Sequence, residues 1–486
     1  MPFTPEALRS SRSTTNRYFM PSPSNPRKFA CKVLQTIYRS QGFADDVFDA
    51  AIKEAVLSNQ DRALAFEMVY GVLRHALTLD WRLDQISRKP LARLPLNVAT
   101  ILRVAAYQLL YLDRVPDSAA VNEAVKLTRK QPGHDWGGLV NAILRNLIRQ
   151  SDPLLPDIHI DPVHALSIRY SCPSWMVERW IKTFGIDQAE VLCRKTLEIP
   201  PMTLRTNTLR CTRQGLLDRL ETEGVPAKVT SVSSLGVTLE KCGHPGHLSV
   251  VQDGWCYIED EAGQLIPPLL DPQPGERILE ACAAPGGKTT HLAQLMQNQG
   301  TIIALDRQRE RLIRLIDNCQ RLGIEIVQTY ERDAATDAPT STPTCHDSPS
   351  PVARALMEPF DRILVDAPCS GLGILRRHPE GKMLKQFSTI EQSRHIQQQI
   401  LDRVCTLLRP GGILVYSACS IEPEETTEVV SAFCQEHPEF QPEPITPWMA
   451  NAGLSLVTDL GHLCTAFQSF TMDGFFACRL KKTDVQ

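Results

Sequence analysis

A glycine-rich turn between a short apolar strand and a helix constrains this chain more than any other segment. Arg277–Glu280 reads as the strand, and the turn lies within Ala281–Thr290, with the sequence Ala-Cys-Ala-Ala-Pro-Gly-Gly-Lys-Thr-Thr. Adjacent glycines let a ligand approach the backbone closely, and the helix N-terminus that follows favours anionic groups. The segment therefore predicts a ligand site at the end of a strand.

A P-loop is the first alternative, because Gly287-Lys288-Thr289 matches the end of that motif. The motif requires a glycine five residues before Gly287, and this chain has Cys282 there. The phosphate-binding loop is incomplete, which disfavours an NTPase.

Asp306 ends the next predicted strand, Thr301–Leu305, and lies 20 residues after Gly286. In Rossmann-type sheets a carboxylate at about 20 residues from the glycine turn binds ribose hydroxyls. The two features together predict a nucleoside ligand, and nothing in the spacing indicates a diphosphate.

Two further loops each place a cysteine directly after an apolar strand. Asp366-Ala-Pro-Cys369 follows Ile363–Val365, and Ser417-Ala-Cys419-Ser420 follows Ile413–Tyr416. The alternation of strands and helices predicts a parallel sheet covered on both faces. Because ligands bind at the carboxyl edge of such a sheet, both cysteines and Asp366 should converge near the glycine turn.

The rest of the chain divides by pattern. Residues 27–150 show helical apolar spacing and predict an all-α domain, whereas 151–266 predicts a small α/β module. Residues 267–486 form the predicted Rossmann-like domain, with a flexible insert at 335–353. Residues 1–26 predict a flexible tail in which Met20 is an alternative start.

Charge is unevenly distributed along the chain. Residues 27–150 carry 18 Lys+Arg and 12 Asp+Glu, a net charge of +6, although the whole chain has a net charge of −3. A basic front half favours a polyanionic partner, and ordinary surface variation explains the charge alone equally well.

Several classes of protein are disfavoured. The chain has no run of 18 apolar residues and no basic start followed by an apolar block, so we predict neither a membrane span nor a secretory signal. Its fifteen cysteines include no C-x-x-C pair, and their number is odd. We therefore expect no metal site and no disulfide framework, and a cytoplasmic location.

From about residue 27 to the end, the chain resembles the Sun/RsmB branch of the RNA cytosine-C5 methyltransferases. The blocks that carry the resemblance are Cys282–Lys288, Ala304–Arg311, Asp366–Gly373, Arg409–Glu425 and Asp473–Leu480. The helical segment 106–144 resembles the NusB-like RNA-binding domain that marks the 16S ribosomal RNA branch. Leu204-Arg205-Thr206-Asn207 resembles the R-x-N strand of the family's middle module.

The resemblance implies an α/β multidomain protein: a NusB-like all-α domain, a small α/β module and a C-terminal class I methyltransferase domain. It also implies S-adenosylmethionine as cofactor and RNA, most simply 16S ribosomal RNA, as partner, with neither DNA nor a membrane. A monomer is assumed.

The same resemblance implies roles for individual residues. Cys419 would be the nucleophile, and Cys369 would assist product release. Asp366 would lie beside both cofactor and base, and it would act at N3 of the base as acid or orienting group. Asp306 would hold the ribose, and Asp333 would lie near the adenine. The loop that would cradle the methionine portion consists of Cys282, Ala283, Ala284, Pro285, Gly286, Gly287 and Lys288.

Two alternatives stay open: a tRNA cytosine as the substrate, and a non-catalytic RNA-binding assembly or antitermination factor. A DNA cytosine methyltransferase is disfavoured, because no Glu-Asn-Val block follows the Pro-Cys block. The sequence also leaves the target nucleotide open, and it does not decide whether the substrate is naked RNA or a ribosomal particle.

The chain shows three departures from the family's pattern. Ala418 stands where the family often has threonine, and Glu280 stands where an aspartate is common. The family's Gln-Asp-Glu-Ala-Ser reads Glu-Asp-Glu-Ala-Gly here, so Glu259 replaces the glutamine and Gly263 the serine. Four basic residues near the Asp366 block are predicted phosphate contacts for RNA: Arg376, Arg377, Lys382 and Lys385.

Overall fold

The computed structural model describes residues 25–129, 135–150, 155–240, 245–336, 351–448, 456–465 and 471–483. The chain forms two compact units. A helical unit holds the described residues up to Ile199 together with 375–387. An α/β unit holds 200–374 and the described residues from Ser388 onward.

The helical unit begins where the sequence predicts a domain entry. Asn25 accepts hydrogen bonds from the backbone N–H groups of Arg27 and Lys28, and Pro26 occupies the first helical position. The helices are α1 (Pro26–Ser40), α2 (Ala44–Glu54), α3 (Asn59–Arg74), α4 (Ala76–Ile86), α5 (Leu96–Tyr111), α6 (Asp117–Arg129), α7 (Gly137–Arg149), α8 (Pro162–Tyr170), α9 (Ser174–Phe184) and α10 (Ile186–Lys195).

One apolar core joins the helices from α1 to α7. Leu34, Leu73, Leu102 and Leu144 come from four different helices, and all are buried in it. This core confirms the predicted all-α class of the N-terminal region. Residues 1–24 of the predicted tail, Met20 among them, lie outside the described residues.

The α/β unit starts with a small antiparallel sheet in the order β2-β3-β1-β4. Its elements are β1 (Met202–Thr206), α11 (Arg213–Thr222), β2 (Ala227–Val229), β3 (Gly236–Leu239), α12 (Ser249–Gln252) and β4 (Cys256–Ile258). The compact units divide near residue 200, and α8 to α10 belong to the helical unit, so the predicted module boundary at residue 151 stays a prediction.

The main sheet has the order β10-β12-β9-β8-β5-β6-β7, with β11 paired to β12. Its strands are β5 (Arg277–Ala281), β6 (Thr301–Asp306), β7 (Val327–Glu331), β8 (Phe360–Asp366), β9 (Leu408–Ala418), β10 (Phe440–Glu443), β11 (Leu463–Thr465) and β12 (Phe475–Lys482). The accompanying helices are α13 (Glu261–Gln264), α14 (Ile266–Leu270), α15 (Gly287–Leu295), α16 (Arg309–Leu322), α17 (Pro351–Met357), α19 (Phe387–Val404) and α20 (Thr427–Glu436). The short helix α18 (Gly381–Leu384) belongs to the helical unit.

Both faces of the main sheet are covered, as predicted. Along β5, Ile278 faces one apolar core and Leu279 the other, because alternate residues of a strand point to opposite faces. Strand β5 pairs in parallel with β6 on one side and with β8 on the other. The strand order reverses between β5 and β8, so a crevice forms at the carboxyl ends of these two strands. The predicted α/β multidomain fold is confirmed.

The prediction of a wholly parallel sheet is wrong at one end. Strands β5 to β9 pair in parallel, whereas β12 pairs antiparallel with β9, β10 and β11. The pattern of apolar residues in a strand depends on how deeply the strand is buried and does not depend on its direction. The sequence therefore does not distinguish a mixed sheet from a parallel one.

The prediction of a flexible insert at 335–353 is wrong at the two ends of that range. Ala335 and Ala353 are buried, and α17 begins at Pro351. Residues 337–350 lie outside the described residues. Among the residues that the structure describes, no helix is long and apolar enough to cross a membrane.

The segment 375–387 corrects the prediction of phosphate contacts. Within the helical unit, Arg376 is 2% exposed and Lys382 is 1% exposed. The Lys382 ammonium donates to the backbone carbonyls of Arg74 and Tyr170, at 3.3 and 3.4 Å. Burial lowers the pKa of Lys382 to about 8. Because Arg376 and Lys382 are buried, they cannot contact RNA phosphates. Arg377 and Lys385 are half-buried, and for these two residues the phosphate contact stays a prediction.

Candidate active site

The glycine turn runs from the end of β5 to the start of α15. Cys282 and Gly286 have positive φ, 64° and 103°, so the backbone reverses tightly at both positions. A side chain at Gly286 would also lie 3.0 Å from Leu315 of α16. The turn thus brings the predicted cofactor residues from Cys282 to Lys288 into one loop at the carboxyl end of β5.

Asp306, at the end of β6, faces this loop. Its Oδ2 accepts a hydrogen bond from the backbone N–H of Ala284 at 3.2 Å, and Oδ1 accepts from Gln308 at 2.9 Å. The carboxylate is 4% exposed, with the Arg311 guanidinium 3.8 Å away. Free lone pairs remain on its oxygens, as a ribose-binding carboxylate requires.

Three carboxylates surround the Cys282 thiol. Burial raises the pKa of Cys282, and the negative charges of Asp306, Asp366 and Asp333 raise it further. The structure therefore brings these three predicted cofactor residues around one point of the turn. The same charges keep Cys282 protonated, so it is not a nucleophile.

A partly buried ion pair joins the turn to β8. The Lys288 ammonium lies 2.7 Å from Asp366 Oδ2, and the Ser417 hydroxyl donates to Oδ1 at 2.8 Å. Burial alone would lower the pKa of Lys288, but Asp366 and Glu259 raise it to about 12. Lys288 is consequently a fixed positive charge, and it lies 5.1 Å from the centre of the Phe475 ring.

The two predicted cysteines lie side by side. Cys369 Sγ and Cys419 Sγ are 2.9 Å apart, both residues are half-buried, and neither is in a disulfide. The hydrogen bond to Cys419 and burial raise the pKa of Cys369 well above its ordinary value. Since two thiolates this close would repel each other, the raised pKa keeps the proton on Cys369.

Sequence reasoning missed the part played by Arg205 of β1. This fully buried guanidinium forms an ion pair of 2.5 Å with Glu259 and donates to the Gly287 carbonyl at 2.6 Å. It also donates to the Thr290 hydroxyl at 2.8 Å. Arg205 therefore ties the small sheet to the cofactor loop. An arginine inside a short predicted strand was the signal that could have found it.

One departure from the family's pattern has a local explanation. A Cβ at Gly263 would lie 3.2 Å from Glu259 Cγ, so the absence of a side chain there accommodates Glu259. Glu280 is buried, its Oε2 is without a hydrogen-bond partner, and burial raises its pKa to about 8. Ala418 is fully buried, and nothing in the structure explains why it replaces threonine.

Family models match three parts of the chain. Residues 267–481 match the model described as 16S rRNA methyltransferase RsmB/F, and residues 24–149 match the NusB family. Residues 172–244 match the ferredoxin-like domain of RsmF/B-like methyltransferases.

Relatives match over nearly the whole length. The probable ribosomal RNA small subunit methyltransferase B of Bacillus subtilis is 35% identical, covering 94% of this chain and 98% of the relative. The chain belongs to the RsmB/F family. A Synechocystis member with the same name is 33% identical, covering 94% of this chain and 99% of its own.

The resemblance to this family and to its NusB-like domain is thereby confirmed. The fold is also shared with the crystal structure of PH0851, which superposes with a TM-score of 0.78 at 25% identity. That likeness covers 95% of this chain and 100% of the other. The RsmB/F blocks are the ones that meet at the switch point between β5 and β8, whereas the roles of the individual residues stay predictions.

Proposed function

We propose that this protein transfers a methyl group from S-adenosylmethionine to C5 of a cytosine in 16S ribosomal RNA. The observation that carries the proposal is the pair of free thiols, 2.9 Å apart, in the crevice that also holds Lys288 and Asp366. Family membership supports methyl transfer, and relatives named ribosomal RNA small subunit methyltransferase B support the choice of RNA.

The glycine turn and its three carboxylates fit the cofactor. Residues from Cys282 to Lys288 would hold its methionine portion, Asp306 the ribose and Asp333 the adenine. The cluster of negative charge around Cys282 suits a sulfonium cation. When bound, S-adenosylmethionine supplies an electrophilic methyl group.

The cysteine pair supplies the activation that the base needs. Cytosine C5 is too weak a nucleophile to take a methyl group unaided. The Cys419 thiolate would form a bond to C6, and the electron pair would move to C5, which takes the methyl group. A base then removes the C5 proton, and the returning electrons break the sulfur–C6 bond. Cys369, the protonated partner, is placed to return a proton to the departing sulfur.

Asp366 would stabilise the addition at the opposite side of the base. It accepts hydrogen bonds from Lys288 and Ser417, which hold the carboxyl group in a defined orientation. Asp366 would act at N3 of cytosine, and a proton that moves from its carboxyl group to N3 as the sulfur adds to C6 makes that addition easier. Lys288 is close enough to Cys419 for their charges to interact. The base must leave its stack to reach these groups.

Trapping the covalent adduct tests this proposal. The Cys369→Ala protein, incubated with S-adenosylmethionine and 16S RNA, is expected to accumulate a protein–RNA adduct on a denaturing gel, because product release is impaired. The matched control is Cys369→Ala/Cys419→Ala, in which the band should vanish. Mapping the attached RNA identifies the base.

Two results would change the conclusion. An adduct with tRNA and none with 16S RNA would keep the mechanism and move the substrate. No adduct with any RNA, together with no methyl transfer by the unmodified protein, would favour a non-catalytic RNA-binding factor instead.

A further inference from the structure

Glu425 is a buried carboxylate that bonds to both cysteine loops. It is fully buried in the α/β unit, just after the Cys419 loop. Its Oε1 accepts the backbone N–H of Ser370 at 2.6 Å, and its Oε2 accepts the hydroxyls of Ser370 and Ser420, each at 2.5 Å. These serines directly follow Cys369 and Cys419. One side chain therefore links the two loops at the residue next to each sulfur.

Glu425 is itself anchored to the main sheet. The Tyr416 hydroxyl, on β9, donates to the backbone carbonyl of Glu425 at 2.6 Å, and Tyr416 is fully buried. The carboxylate thus has a fixed position relative to the strand that leads into the Cys419 loop. A second contact restricts the position of the Cys369 loop relative to the Cys419 loop, because the backbone N–H of Gly373 donates to the Cys419 carbonyl at 3.1 Å.

We propose that Glu425 is a positioning residue that holds Cys369 and Cys419 at the short separation the covalent step needs. The catalytic part of this inference rests on the proposed function, whereas the separation of the sulfurs is a property of the protein alone. Three groups in the described part of the chain donate hydrogen bonds to the carboxylate, which suits its ionised form. Burial raises the pKa of Glu425, and the bonds from Ser370 and Ser420 oppose that rise.

The charge of Glu425 also helps to distinguish the two thiols. After the hydrogen bond to Cys419 and burial, the negative charge of Glu425 contributes to the raised pKa of Cys369. Lys288, by contrast, is close enough to Cys419 for the two charges to interact. The negative charge of Glu425 therefore helps to keep the proton on Cys369.

Disulfide trapping measures the separation of the sulfurs directly, without RNA or cofactor. Diamide accepts two electrons and two protons from a thiol pair and leaves a disulfide. The cross-linked peptide containing Cys369 and Cys419 is quantified by mass spectrometry. Glu425→Gln should slow its formation about tenfold or more, because displacing the loops by about 1 Å is enough to disturb such a geometry. In either orientation, the glutamine NH₂ faces at least one group that donated to the carboxylate.

Steady-state kinetics supplies the second measurement. Glu425→Gln should lower kcat about 10- to 100-fold while KM for RNA and the affinity for S-adenosylmethionine stay near wild type. The control is Glu443→Gln on β10, which removes a carboxylate that pairs with Arg479 at 2.9 Å, outside the cysteine loops. That variant should match wild type in both measurements.

Wild-type rates of cross-linking and turnover in Glu425→Gln would overturn the inference. If this variant does not fold, Ser370→Ala/Ser420→Ala replaces it, because it removes both bonds to Oε2 and leaves the buried carboxylate in place. Unchanged cross-linking in that double variant would equally overturn the inference. If wild type methylates no RNA, yet Glu425→Gln still slows the cross-link, the proposed function fails and the positioning role of Glu425 stands.

Discussion

At the scale of single residues, Glu280 should make the stability of the α/β unit depend on pH. Its folded-state pKa of about 8 lies above its ordinary value of 4.5, so the unfolded chain loses this proton first. Stability contributed by the protonated group is therefore lost as pH rises from about 4.5 to 8.

Glu280→Gln mimics the protonated form, and its free energy of unfolding should exceed that of wild type by on the order of 2 kcal/mol at pH 8, with little difference at pH 4.5. Denaturant titrations at the two pH values check this. The exposed Glu331→Gln on β7 is the control, and equal pH profiles for Glu280→Gln and wild type would contradict the expectation.

At the scale of elements, β1 supports the cofactor loop through Arg205. Arg205→Lys keeps a positive charge near Glu259 but loses the planar fork that also reaches Gly287 and Thr290. The free energy of unfolding should fall by about 3 kcal/mol, because buried hydrogen-bonding groups lose their partner. Affinity for S-adenosylmethionine, measured by calorimetry, should weaken as the turn loosens. Arg219→Lys in the same small module breaks a partly exposed pair with Asp253 and should cost less than about 1 kcal/mol. Equal losses in the two variants would show that the fork of Arg205 has no special role.

At the scale of the whole molecule, the basic charge of residues 27–150 predicts salt-dependent binding of RNA. Arg145 and Arg149 lie one turn apart on α7, and both are exposed. If both contact phosphates, Arg145→Ala/Arg149→Ala should reduce the slope of log affinity against log salt by about 1.5 to 2. Filter binding at several salt concentrations measures the slope, and the exposed Lys228→Ala, on β2 of the small module, is the control. An unchanged slope in the double variant would move the RNA contacts away from this helix.

The sequence by itself determined the fold class and the residues that meet in the crevice. Each of the loops at Cys282, Asp366 and Cys419 follows an apolar strand, and parallel strands share a carboxyl edge, so local pattern alone predicts their convergence. Tertiary structure decided what depends on burial and on partners distant in the sequence. Arg376 and Lys382 were predicted to be surface cations, but packing buried them. The antiparallel strand β12 was not predicted, and Glu425 acquired a position only when two loops closed on it. The physical reason is that a side chain's charge and spacing are written in the sequence, whereas its solvent exposure and hydrogen-bond partners exist only after distant segments have packed together.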